Sequence, residues 1–82
     1  MPVHPRRLGD PHARCPRVRD PALNELIEKA WTAGWWCERR TSGHVMCYSP
    51  DGAAMVLVAC TPSDRRTISN TRAALRRAGL AI

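Results

Sequence analysis

The side chains best able to do chemistry in this 82-residue chain lie in one short stretch, Arg39-Arg40-Thr41-Ser42-Gly43-His44-Val45-Met46-Cys47-Tyr48. An imidazole titrates near neutral pH, so His44 is a candidate to move a proton in phosphodiester cleavage, where RNA supplies its own 2′-hydroxyl nucleophile. Guanidinium groups complement the charge that grows on phosphorus in such a reaction, and Arg40 stands nearby in sequence. A plainer reading also fits: the turn needs Gly43 but no imidazole, and His44 simply opens a strand.

The cysteines Cys15, Cys37, Cys47 and Cys60 are the other reactive groups. They are 22, 10 and 13 positions apart and form no Cys-x-x-Cys pair. A zinc site would have to be assembled from scattered thiols with His4, His12 or His44, so we expect no metal and no cofactor. In a reducing cytosol these groups default to thiols, with Cys37 and Cys47 as a small apolar pair and Cys60 buried.

The net charge of +6 comes from 13 Lys and Arg against 7 Asp and Glu, and all the bases except Lys29 are arginine. Arginine grips phosphate through a planar bidentate fork, which makes an anionic partner the first expectation. The longest apolar run, Ala53 to Cys60, is eight residues, well short of the ~20 that span a bilayer. The start, MPVHPRRLGD, carries charge and prolines with no apolar segment after it. We therefore expect a cytoplasmic protein without a membrane partner.

The elements that must position these groups follow from periodicity. Residues 1–19 combine five arginines and four prolines with few large apolar side chains and are expected to form a flexible basic arm. Order is expected from Asp20-Pro21, a cap and a first-turn proline. Leu23, Leu26, Ile27, Ala30 and Trp31 make one helical stripe, ended by Gly34. Three strands should follow: Trp35 to Arg40, His44 to Ser49 and Ala53 to Cys60, joined by turns at Thr41-Ser42-Gly43 and Pro50-Asp51-Gly52. Met55-Val56-Leu57-Val58, apolar on both faces, suits a well-covered strand.

Thr61 to Thr67, with Pro62, reads as a loop containing Arg65 and Arg66. Ser69 or Asn70 is then expected to cap a helix with Ile68, Thr71, Ala74, Leu75 and Ala78 inward, closed by Gly79. The expected fold class is α+β, in the order α-β-β-β-α: a three-stranded antiparallel sheet with two helices on one face, built by residues 20–82.

Across a three-residue turn, Arg40 falls opposite His44 and Cys37 opposite Cys47. Parity then turns Trp35, Cys37, Val45 and Cys47 toward the helices, and Trp36, Glu38, Arg40, His44, Met46 and Tyr48 away from them. Aromatics beside a guanidinium would suit single-stranded RNA, which binds by stacking and phosphate contacts.

Gly34-Trp35, Ser42-Gly43-His44, Pro50-Asp51-Gly52, Met55 to Val58, and Leu75-Arg76-Arg77-Ala78-Gly79-Leu80 occur in an order and spacing that resembles the HicA toxin family. Thr61-Pro62-Ser63-Asp64 looks like a variant found in small proteins of actinobacteria and their phages. The resemblance implies a fold similar to double-stranded-RNA-binding domains, cleavage of messenger RNA without a cofactor, and His44 as the catalytic residue. It further implies a HicB-like antitoxin as a partner. The chain departs from the family's usual pattern in three places. The turn reads Ser-Gly-His rather than Gly-Ser-His, Cys60 stands where many members have a second histidine, and Ser69-Asn70-Thr71 replaces a Gly-Thr.

The expected RNA-binding residues are Arg39, Arg40, Trp36, Tyr48, Arg65, Arg66, Arg72 and Arg76. Two other readings use the same fold. One is a non-catalytic nucleic-acid-binding module, in which His44 is incidental. The other is a small phage- or toxin-like protein that inhibits a host factor, with Trp31, Trp35 and Trp36 as anchors.

Overall fold

The computed structural model describes residues 14–62 and 64–82. Helix α1 (Pro21–Thr32) is followed by strands β1 (Trp36–Arg39), β2 (Val45–Tyr48) and β3 (Met55–Val58), then helix α2 (Arg65–Arg77). The strands form one antiparallel sheet in the order β1-β2-β3, and both helices pack on the same face of it. This is the α-β-β-β-α arrangement expected from the sequence.

Asp20 starts α1 by accepting the Leu23 amide at 2.9 Å, and Pro21 fits the first turn because it has no amide to satisfy there. Both helices stop in the same way. Ala33-Gly34-Trp35 and Ala78-Gly79-Leu80 each place a glycine at positive φ, 96° and 111°. The next residue's amide then reaches back to the helix, Trp35 to the Ala30 carbonyl and Leu80 to that of Leu75, each at 2.9 Å. This hydrogen-bonded stop drives Trp35 and Leu80 into the core, where both are buried.

The core is Leu23, Leu26, Ile27 and Ala30 of α1, Leu75 of α2, and Cys37, Val45, Cys47 and Val58 of the sheet, closed by Trp35 and Leu80. Burying a side chain of this size contributes about 1.5–3 kcal/mol. The register is the one parity requires: Cys37 faces Cys47, Val45 faces Val58, and the Arg40 amide donates to the His44 carbonyl at 2.7 Å across the turn. Cys37 and Cys47 are buried free thiols, as expected for an apolar pair.

Three features differ from expectation. First, β3 is an edge strand covered on one face only, with Met55 64% and Leu57 50% exposed. Two helices can cover one side of a sheet, so the apolar residues pointing the other way stay in water. Second, α2 begins at Arg65, not at Ser69 or Asn70. Asp64 is its cap, accepting the Arg66 and Thr67 amides at 2.8 and 3.3 Å. Arg65 and Arg66 therefore occupy the first helical turn, not a loop.

Third, the part of the basic arm that is described, residues 14–19, lies along the domain; residues 1–13 lie outside the described residues. Cys15 and Val18 pack against the core, and the Val18 amide donates to Asn24 at 3.2 Å. No helix among the described residues is long and apolar enough to cross a membrane.

Candidate nucleic-acid interface

The topology gathers chain ends at one pole of the domain. α2 ends against Trp35 and the Ser49-Pro50-Asp51 turn, so its N-terminus lies at the other pole, near the end of β3. At that pole the chain leaving β3, at Cys60 and Thr61, lies beside the end of β1, the β1–β2 turn before His44, and residues 17–19 ahead of α1. Arg17, Arg19, Arg39, Arg40, Arg65 and Arg66 are thereby placed at one end, although they are spread over fifty positions of sequence.

Local carboxylates do little to neutralise this pole. Asp20 and Asp64 each direct one oxygen to helix amides and, among the described residues, form no ion pair with the neighbouring arginines. Glu38 accepts from Arg40 at 3.4 Å and from the Trp36 indole at 3.0 Å. Arg17 and Glu28 stand 4.0 Å apart with side chains 75% and 53% exposed, a geometry worth little in water. No carboxylate among the described residues pairs with Arg19, Arg39, Arg65 or Arg66. The two caps occupy the Leu23 amide of α1 and the Arg66 and Thr67 amides of α2, so the helix N-termini keep few donors for a phosphate.

His44 is half-buried, and its ring is fixed by a main-chain contact: the Cys60 amide donates to Nδ1 at 3.1 Å. Nδ1 must therefore carry a lone pair, so the neutral ring holds its proton on Nε2. The ring thus ties the start of β2 to the chain leaving β3, and it presents Nε2–H as a donor. A phosphate oxygen or a 2′-oxygen can accept from that group. Removing a proton from a 2′-hydroxyl is a different matter. In the tautomer that accepts the Cys60 amide Nε2 already holds its proton, so the ring can act as a base only at Nδ1, or at Nε2 after its proton has moved to Nδ1, and each route breaks the Cys60 contact.

Gly43, with φ of 94°, carries the backbone through the turn beside Cys60. A methyl group there would meet Cys60 Cβ and Sγ at 3.8 Å, which is ordinary contact, so the glycine is required by backbone conformation and not by space.

The other expected site residues scatter. Trp36 and Tyr48 face each other on the open side of the sheet, four residues from Arg40 and His44 respectively, ~13 Å along the strands. Trp36 already packs on Trp31, ring centroids 5.5 Å apart, and is a partner of the core edge as much as a free platform. Arg76 is eleven residues along α2 from Arg65, ~16 Å, and belongs to the opposite pole. Arg72 is half-buried on the flank between them. Trp35, 3% exposed, cannot anchor a partner.

Sequence reasoning did not single out Arg17 and Arg19. The alternation in Cys15-Pro16-Arg17-Val18-Arg19 was the available signal, since it has apolar side chains to pin the segment and arginines between them. No group of three or more His, Cys, Asp or Glu side chains among the described residues is arranged to hold a metal ion. No protein-family model, no curated protein and no solved structure matches this chain.

Proposed function

We propose that this chain binds single-stranded RNA through the pole that carries His44. The observation that supports this is the concentration of Arg19, Arg39, Arg65 and Arg66 at that pole with no paired carboxylate among the described residues. Unpaired guanidiniums are strong, planar phosphate ligands, and a backbone that releases counterions as it binds them gains affinity at low salt. Next to them, the Nε2–H of His44 can donate to a phosphate or ribose oxygen. RNA is favoured over DNA by the HicA-like order of elements and by the 2′-hydroxyl as an additional partner for that donor.

The test is RNA binding as a function of salt. The logarithm of affinity should fall with the logarithm of salt at ~0.7 per phosphate contacted. Arg65→Gln and Arg66→Gln should each reduce that slope by about one contact. Affinity independent of salt would overturn the reading.

A second reading, HicA-like cleavage of messenger RNA, is supported by the hydrogen-bonded pairing of Arg40 with His44. In it the 2′-oxygen attacks phosphorus as a base removes its proton, the 5′-oxygen leaves and gains a proton, and Arg40 holds the phosphoryl oxygens. For His44 to be that base, its ring must release the Cys60 amide during the cycle. Incubation of RNA with wild type and His44→Asn in EDTA decides between the readings: cleavage by wild type alone supports the enzyme, and binding without cleavage by either supports the module.

A further inference from the structure

Between residues 17–19 and the end of the sheet lies a cleft of about 490 Å³ that shares Arg19 and Arg39 with the proposed RNA surface. Arg17, Arg19 and Arg39 line it, with Val18, Gly43, Cys60 and Thr61 as the remaining walls. Arg39 reaches across by donating from Nη2 to the Arg17 carbonyl, so its guanidinium is held over the cleft while its other N–H groups stay available.

Among the described residues no carboxylate lines the cleft, and Arg17 has only its loose 4.0 Å contact with Glu28, so three like charges kept together by a packed segment repel one another until an anion joins them. We propose that this cleft binds a terminal phosphate monoester, the phosphorylated end of an RNA strand whose body lies at the His44 pole.

Charge and size support that ligand. A monoester is mostly a dianion at neutral pH, whereas an internal phosphodiester is a monoanion, so the terminal group gains more from several guanidiniums. The volume exceeds what a bare phosphate needs and falls within the range of small-ligand pockets. Val18 and Cys60 give the attached nucleotide an apolar wall, and the Thr61 hydroxyl gives it a polar contact.

Shared walls connect the cleft with the His44 site: Gly43 precedes the histidine, and Cys60 supplies the amide that fixes its ring. The inference rests on the RNA reading for the identity of the strand, but not for the chemistry of the phosphate site.

The experiment compares short single-stranded RNAs of one sequence carrying a 5′-phosphate, a 3′-phosphate, or hydroxyls at both ends. Wild type is measured beside an Arg19→Gln/Arg39→Gln double variant and an Arg65→Gln control, all checked for equal circular dichroism. In parallel, inorganic phosphate is titrated while the backbone amides of Gly43, Cys60 and Thr61 are followed by NMR.

The expected result is about ten-fold or more tighter binding of one phosphorylated end, the size of one charge-assisted contact. That preference should be lost in the double variant and kept in the control, and the arms identify which end is taken. Equal affinity for all three ends overturns the phosphate cleft while RNA binding stands. So does a preference that survives the double substitution. If no RNA binds but phosphate shifts the cleft amides in wild type and not in the double variant, the phosphate site stands and the RNA function falls. If neither ligand acts, both are overturned.

Discussion

Substituting His44 in two ways separates what its ring does for the fold from what it does for a ligand. In His44→Ala the Cys60 amide loses its acceptor. A buried donor left without a partner costs about 1–3 kcal/mol, and this one is only partly buried, so water recovers part of that and ~1 kcal/mol remains. In a domain of this size each kcal/mol shifts Tm by about 4–8 °C, which is the drop expected for His44→Ala. His44→Asn is different because the Asn carbonyl oxygen stands near the place of Nδ1 and can accept the same amide.

Most of the lost stability should therefore return in His44→Asn, while the Nε2–H donor is gone. RNA affinity in that variant should fall by up to about ten-fold, the loss of one hydrogen bond, without a change in fold. Thermal unfolding by circular dichroism, hydrogen exchange at the Cys60 amide and RNA titration measure the three quantities. An Ala variant with wild-type Tm and unchanged Cys60 exchange would refute the contact. An Asn variant as unstable as the Ala variant would mean that ring packing, not the acceptor, holds this end of the sheet. A ring in the Nε2–H tautomer is also directly visible in the ¹⁵N shifts of His44.

Other consequences are open to simpler measurements. Asp51 titrates below its ordinary value, mainly because the Ser49 hydroxyl donates to it at 2.6 Å and then because the Ala53 amide does so at 3.0 Å. A depressed carboxyl stabilises the fold above its unfolded pKa, and that contribution disappears as pH falls through the lower folded value. Ser49→Ala should raise the Asp51 midpoint in a ¹³C-carboxyl titration; an unmoved midpoint would assign the depression elsewhere. The Cys15 thiol is pushed up, first by burial and then by Glu28 and Cys47 against an opposing Arg17. Glu28→Gln should therefore speed its alkylation at mildly alkaline pH, and an unchanged rate would remove Glu28 as a cause. Leu75→Ala, at a side chain with no exposed surface, should cost about 2–5 kcal/mol of stability, read as a lower urea midpoint. Domains of this length have roughly 4–12 kcal/mol in total, so a loss under ~1 kcal/mol would contradict the packing.

The sequence carried most of the fold and part of the site. Local chemistry dictated the helix stops at Gly34 and Gly79, the turns at Gly43 and Gly52, the facing of Cys37 with Cys47, and the separation of a buried face from one bearing His44 and Tyr48. Each of these depends on residues close together in the chain, where hydrogen-bond patterns and side-chain alternation act directly. The start of α2 was misplaced, although its cap, Asp64, stands four residues ahead of Ile68. It was obscured by the polar Arg65-Arg66-Thr67 that fills its first turn.

Tertiary structure alone decided the rest. Whether Met55 and Leu57 would be covered depended on how many layers the chain could build, and two helices on one face leave the other open. The attachment of residues 17–19 beside Arg39 and Gly43 joins positions more than twenty residues apart, and no periodicity encodes it. His44 and Cys60 are sixteen residues apart, yet their contact decides which ring nitrogen holds the proton. Sequence supplies an imidazole and its intrinsic pKa, but the direction in which that imidazole can donate is set by the backbone group the fold brings against it.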